Sequence, residues 1–136
     1  MGIQGATAAF ALQLRLSATS ESASVLRRRL SLWLDGLGAL ADEIFDVSLA
    51  VTEAFSNAIE HPREPAAGFV EVDGDFNART VTVTVRDSGS WGARRRRAAG
   101  GYGFPLMRHL MDAVEVESGP AGTSITLQRH LGTLTD

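Results

Sequence analysis

Three short segments hold the side chains of this chain that could do chemistry. Glu53 and Asn57 lie one helical turn apart in a segment with helical periodicity, Asp87 ends a β-like run, and residues 100–103 form a glycine cluster before a further helical run. An amide beside a carboxylate can bind a metal ion, and a glycine-rich loop can bind phosphate. A carboxylate beside a glycine can recognise a nucleotide base through a hydrogen bond. Together the three segments indicate an ATP site.

The first segment places Glu53, Asn57 and the Glu60–His61 pair on one helix face, rotated from the apolar stripe of the same helix. The side-chain oxygen of Asn57 is a hard ligand that suits Mg²⁺, an ion that also binds phosphates. A carboxylate one turn away can orient or deprotonate a hydroxyl that attacks the γ-phosphate. Taken alone, the same residues also fit a solvated polar face.

The second segment, Asp87 with Gly89, comes directly after a run of alternating valines. The carboxylate can accept a hydrogen bond from the exocyclic amine of adenine, and Gly89 lets a base approach the backbone. An ordinary turn after a strand explains the Asp-x-Gly pattern equally well.

The third segment contains Gly101 and Gly103 at the start of a helix, where backbone N–H groups favour anions, although a flexible hinge is an alternative. The chain has 13 basic residues, and all of them are arginines. The absence of lysine excludes a Walker-type phosphate loop and the protein-kinase fold. Possible phosphate contacts therefore come from the run just before the glycines, which is also typical of a solvated loop: Arg94, Arg95, Arg96 and Arg97.

The elements that must position these residues follow from hydrophobic periodicity. The predicted order is strand, helix, helix, two strands, loop, helix, two strands, with Thr19 and Ser20 as possible caps of the first helix. This order predicts an α+β fold with helices on one face of a mostly antiparallel sheet. We expect one domain over residues 1–136, with an ordered core over about residues 8–131.

Composition narrows the function classes further. There is no cysteine, secretory signal or membrane-length apolar run, so we expect a cytoplasmic protein. The net charge of -3 argues against direct binding of nucleic acid.

In combination, the segments resemble the GHKL (Bergerat-fold) ATPase superfamily, and more closely the bacterial anti-sigma factor serine/threonine kinases. The resemblance extends over almost the whole chain. Trp91 departs from it, since many superfamily members have a second glycine there. Four motifs are similar to the N box, the two glycine boxes and a late Gly-Thr pair, in this order: Glu53-x-x-x-Asn57-Ala58-Ile59-x-His61, Asp87-x-Gly89, Gly101-x-Gly103-Phe104 and Gly122-Thr123.

The resemblance implies a two-layer α/β sandwich that binds ATP and Mg²⁺. It implies that Asn57 binds Mg²⁺, that Glu53 is the base or orienting carboxylate, and that Asp87 binds adenine with support from Thr123. It further implies phosphorylation of a Ser or Thr on an anti-anti-sigma (STAS-domain) protein, sequestration of a sigma factor, and a homodimer. The remaining motif residues are expected to bind the nucleotide or form its lid: His61, Gly89, Gly101, Gly103 and Phe104.

The same motifs have other functional interpretations. Sensor histidine kinases need an upstream phosphoacceptor histidine, and gyrase-type ATPases need a second domain, so we expect neither. The open alternative is a non-catalytic module that binds a sigma factor or a STAS protein and has a degenerate or purely regulatory nucleotide site. The presence of both Glu53 and Asn57 favours catalysis, because binding alone needs neither.

Overall fold

The computed structural model describes residues 11–59, 68–87, 103–120 and 122–132. In this part of the chain, helices pack on one face of a five-stranded sheet whose pairings are all antiparallel, which confirms the predicted architecture. The strand order across the sheet is β1-β2-β3-β5-β4. The strands are β1 (Leu12–Ser17), β2 (Phe69–Asn77), β3 (Thr80–Asp87), β4 (Ala113–Gly119) and β5 (Gly122–His130).

The helices are α1 (Ser22–Gly36), α2 (Ala41–Ile59) and α3 (Gly103–Leu110). Within the described ranges, none of them is long and apolar enough to cross a membrane. α2 packs against both other helices and lies over β3 and β5. Its position over the centre of the sheet determines where its polar face can point.

The start of α1 differs from the prediction. Its N-cap is Glu21, and no side-chain hydrogen bond caps the helix, so the caps predicted at Thr19 and Ser20 are wrong. The backbone turns here instead, because the carbonyl groups of Thr19 and Ser20 accept hydrogen bonds from the N–H groups of Ser22 and Ala23. These main-chain bonds satisfy helix-start donors that a capping side chain would otherwise reach.

The core lies between the sheet and the helices. Alternate residues of the central strands are buried, and the helices add apolar stripes at three- and four-residue spacing, as the sequence predicts. One approach is unusually close: a Cβ atom at Gly74 of β2 would lie 2.6 Å from Cη2 of Trp33 on α1. A side chain at this position would have to displace the indole ring. The largest fully buried side chains include Leu26, Leu30, Leu34, Phe55, Met107, Leu127 and Leu131.

Candidate functional site

The side chain of Asn57 on α2 is the first component of the candidate site. Asn57 is only 5% exposed, and its buried Nδ2 atom has no hydrogen-bond partner among the described residues. A buried amide without a partner costs about 1–3 kcal/mol, so such groups in native proteins call for an explanation. One such explanation is a bound ligand that supplies the missing hydrogen-bond partner.

Glu53 lies one turn before Asn57 on the same helix, and it is half-buried. Residues four apart on a helix are neighbours on its surface, so the carboxylate and the amide face the same space. Ala54 and Phe55, which lie between these two residues in the chain, are fully buried in the core. Burial of these two residues anchors the helix in the core, and the Glu53 side chain remains partly exposed.

Asp87 and Thr123 form the second component. They are paired residues on the adjacent strands β3 and β5, and each continues the alternation of core-facing residues along its strand. Thr123 is 5% exposed, and its hydroxyl is 3.1 Å from that of Ser118 on β4. Asp87 is half-buried. The carboxylate and the hydroxyl thus stand side by side at one end of the sheet.

A pocket of about 310 Å³ opens at this end of the sheet. Asp87, Ser118 and Thr123 line it, together with the glycines that begin and end the β4–β5 turn, Gly119 and Gly122. The absence of side chains at the two glycines leaves this wall open to a flat ligand.

The direction of α2 brings the two components to the same end of the molecule. Near the start of α2, Asp46 accepts a hydrogen bond from Arg129 at 3.0 Å, and Arg129 lies near the end of β5. From Asp46 the helix advances about 16 Å to Asn57. From Arg129 the strand extends back about 20 Å to Thr123. Since α2 lies over β3 and β5, the amide and the Asp87–Thr123 pair belong to one region.

A second contact of Arg129 positions α3. The same Nη1 atom donates to the backbone oxygen of Leu110 at 2.8 Å, so the last residue of α3 is held beside Asp46. α3 also packs against α2, and its first residue is Gly103. Phe104, the second residue of α3, is 6% exposed and belongs to the core.

Comparison with known proteins identifies the family to which this domain belongs. The family model for the histidine kinase-like ATPase domain matches residues 16–129. This chain belongs to that family. The match includes both components of the site, so the Asn57 amide and the Asp87–Thr123 pair lie within a histidine kinase-like ATPase domain.

Individual relatives of this ATPase domain are similar along most of their length. The anti-sigma F factor of Heyndrickxia coagulans is 33% identical over 135 residues, which cover 88% of this chain and 92% of the relative. The anti-sigma F factor of Clostridium acetobutylicum is 30% identical over 138 residues, which cover 92% and 96%.

A solved structure shows the same fold. It is the crystal structure of the RsbU and RsbW domains of Rv1364c from Mycobacterium tuberculosis, with a TM-score of 0.71 and 28% sequence identity. The match covers 89% of this chain and 32% of that one, so the ATPase domain corresponds to about a third of the larger protein.

The donor set of the ATPase domain suits a magnesium–nucleotide complex better than a metal ion alone. Within the described ranges, no group of three or more His, Asp or Glu side chains could enclose a metal ion. Mg²⁺ commonly binds through one or two protein ligands together with phosphates and waters. Rotation of the Asn57 amide by half a turn would present its oxygen where the nitrogen now lies. The residues present therefore fit this ion.

Some expected site residues lie outside the described part of the chain: His61, Gly89, Gly101 and the four arginines Arg94, Arg95, Arg96 and Arg97. Their roles remain predictions. Ser118, in contrast, lines the candidate base pocket beside Thr123 and was not predicted from the sequence. The sequence pattern could have indicated this position, because a tight β4–β5 turn between Gly119 and Gly122 places Ser118 directly opposite Thr123.

Proposed function

We propose that this chain is a cytoplasmic, ATP-binding anti-sigma factor that phosphorylates a Ser or Thr of an anti-anti-sigma (STAS-domain) protein and sequesters a sigma factor, as a homodimer. The observation that carries the proposal is the buried, unpaired amide of Asn57, at the end of the sheet where Asp87 and Thr123 stand together. Membership of the ATPase-domain family and similarity to proteins named anti-sigma F factor support it.

In this proposal the adenine amino group donates to the carboxylate of Asp87, and the hydroxyl pair Thr123–Ser118 stabilises that end of the base pocket. Asn57 holds Mg²⁺ through its side-chain oxygen. The ion, when bound, would neutralise charge on the phosphates. Gly89 gives the base room beside Asp87.

The phosphates would lie toward the amino end of α3, where backbone N–H groups favour anions. Gly101 and Gly103 permit their close approach, Phe104 anchors that helix end in the core, and His61 extends the polar face of α2. At least one arginine of the run at residues 94–97 contacts the γ-phosphate and favours ATP over ADP.

Glu53 acts on the protein substrate. The substrate hydroxyl oxygen attacks the γ-phosphorus, the bond from that phosphorus to the bridging oxygen of ADP breaks, and the hydroxyl proton passes to the Glu53 carboxylate. The products are ADP and a phosphorylated side chain. The half-buried position of Glu53 next to Asn57 suits this role, because the base and the metal ligand must face the same phosphate.

The first test measures nucleotide affinity by calorimetry, with and without Mg²⁺. Asn57→Leu should abolish Mg²⁺-dependent ATP binding. The free protein should unfold at an equal or higher denaturant concentration, because an unpaired amide is replaced by an apolar group of similar size. Asn77→Leu, at an exposed strand end, is the control and should bind ATP normally. Normal Mg²⁺-dependent binding by Asn57→Leu would contradict the proposed metal role.

The second test separates binding from chemistry, using phosphoryl transfer from ATP to a STAS-domain protein. Glu53→Gln should retain nucleotide binding but lose about 100-fold or more of the transfer rate. Glu115→Gln changes an exposed carboxylate on β4 and should have no effect. Transfer at the normal rate by Glu53→Gln would show that this carboxylate is not the base.

A further inference from the structure

Three polar side chains stand in one row where the base pocket opens at the end of the sheet. Asp87 on β3 pairs with Thr123 on β5, and Thr123 pairs on its other side with Ser118 on β4. Directly paired residues of antiparallel strands point to the same face, and their Cβ atoms lie about 4.5–5.5 Å apart. All three residues line the pocket of about 310 Å³. One wall of the pocket therefore carries a carboxylate followed by two hydroxyl groups.

The two hydroxyl groups of this row form a hydrogen bond. Ser118 Oγ and Thr123 Oγ1 are 3.1 Å apart, and either atom can be the donor at this distance. A hydroxyl group has one proton and two lone pairs, so the direction of this bond determines what Thr123 presents to the pocket. If Ser118 donates, the proton of Thr123 is available to a ligand. If Ser118 accepts, that proton is used, and Thr123 can present only lone pairs.

The carboxylate at the other end of the row favours one of these directions. An ionised carboxylate only accepts hydrogen bonds, and its negative charge attracts the positive ends of neighbouring O–H dipoles. The Thr123 proton is therefore favoured on the side of Asp87 and the pocket, which leaves a lone pair toward Ser118. Ser118 then donates to Thr123, and hydrogen bonds that run in one direction polarise and strengthen one another. Because Thr123 is only 5% exposed, bulk water does little to disturb this arrangement.

We propose that Ser118 fixes the direction of the Thr123 hydroxyl group and thereby makes the base pocket select adenine over 6-oxopurines. Ser118 is a positioning residue in this role, since it acts on the base through Thr123. The role rests on the proposed nucleotide-binding function and adds the cause of its base preference.

The selectivity follows from matching donors with acceptors. In the favoured direction the pocket presents an acceptor, Asp87, next to a donor, Thr123. The pairing edge of adenine presents a donor, the 6-amino group, next to an acceptor, N1. Hypoxanthine and guanine have the reverse order, because O6 accepts and N1–H donates. A 6-oxopurine in the same position would set oxygen against carboxylate and proton against proton, and polar groups without partners in a binding site reject a close analogue strongly.

The test compares two nucleotides that differ only at this edge, ADP and inosine diphosphate (IDP), by calorimetry in the presence of Mg²⁺. Diphosphates are used because they cannot transfer a γ-phosphate. The unchanged protein should bind ADP at least about 100-fold more tightly than IDP. Ser118→Ala should lower this ratio about fivefold to tenfold, because the freed Thr123 hydroxyl can turn a lone pair toward the N1 proton of IDP. Most of the change should appear as tighter IDP binding, which general damage to the pocket cannot produce.

Two further variants are the matched controls. Thr126 on β5 also forms a cross-strand hydroxyl pair, with Thr84 on β3 at 3.4 Å, but it lies on the opposite face of the sheet and does not line the pocket. Thr126→Val should therefore leave the ADP-to-IDP ratio within about twofold of its original value. Ser118→Thr keeps the hydroxyl group on a β-branched side chain that suits a strand, and it should retain the selectivity.

Thr123→Val tests whether Ser118 acts through Thr123. The change removes the hydroxyl group and keeps the shape of the side chain, so it should lower the ADP-to-IDP ratio by itself. Addition of Ser118→Ala to Thr123→Val should then have no further effect on the ratio. Additive effects of the two changes would contradict the positioning role, because Ser118 would then contact the base independently of Thr123.

Other outcomes would overturn the selectivity proposal in distinguishable ways. Equal weakening of ADP and IDP by Ser118→Ala, with the ratio intact, would show that the Ser118–Thr123 hydrogen bond has only a structural role. Equal affinity of the unchanged protein for ADP and IDP would refute base selection while nucleotide binding itself stood. Failure of the unchanged protein to bind either nucleotide would refute the proposed function, and base selection with it.

Discussion

Glu43 joins the start of α2 to the end of β5, and its removal should destabilise the fold. The residue is 7% exposed, its Oε1 atom accepts a hydrogen bond from the N–H of Leu40 at 2.8 Å, and its Oε2 atom accepts one from Gly132 at 2.7 Å. One carboxylate thus satisfies a donor at the helix start and fixes a segment 89 positions later. We expect Glu43→Gln to lower the free energy of unfolding by about 2–3 kcal/mol.

The magnitude follows from what the amide can and cannot replace. Glutamine keeps the shape of the side chain and one accepting oxygen, but its NH₂ group cannot accept from the second N–H. One hydrogen bond to a charged group is lost, which costs about 1.5–3 kcal/mol. The negative charge in the first turn of α2 is lost as well, which costs about 0.3–1 kcal/mol. Partial solvation of the exposed Gly132 offsets part of this loss.

The assay is urea denaturation followed by circular dichroism, with Asp42→Asn as the matched control. Asp42 occupies the same helical turn but is exposed. Its change removes the charge alone and should cost about 0.3–1 kcal/mol. The urea dependence of the unfolding free energy should be the same in both variants. Equal destabilisation by the two changes would refute the reasoning, because Glu43 would then act only through its charge at the helix start.

Three further predictions test the fold and the base pocket. Gly74→Ala should destabilise the protein by about 1–3 kcal/mol through its clash with Trp33, whereas Gly119→Ala, which meets no atom within 4 Å, should be nearly neutral in the same thermal unfolding measurement. Ala78 has a φ of 53° in the β2–β3 turn, so Ala78→Asn should raise the unfolding midpoint; a lower midpoint would contradict the strain inferred there. Asp87→Asn should weaken ATP and ADP alike by about 1–3 kcal/mol in calorimetry, and unchanged ADP affinity would remove Asp87 from the base pocket.

The sequence by itself determined the elements and their order. Helix and strand periodicities are local properties of consecutive residues. The sequence therefore predicted the apolar stripe of α2 at Val47, Val51 and Phe55, and the alternating valines of β3. Antiparallel pairing followed from short connections between adjacent strands. The predicted caps of α1 were wrong because Thr19 and Ser20 accept hydrogen bonds there through their backbone carbonyls. The side-chain type of a residue does not indicate whether its backbone or its side chain will form such a bond.

The tertiary structure decided which residues meet. Asp87 stands opposite Thr123 only because β3 pairs with β5 in one register, and a shift by one residue would turn both side chains to the other face. Asn57 reaches the same end of the sheet because Glu43 and Arg129 fix the direction of α2. These contacts join residues far apart in the chain, and their geometry depends on how the whole core packs. No local pattern in the sequence encodes the geometry of these contacts.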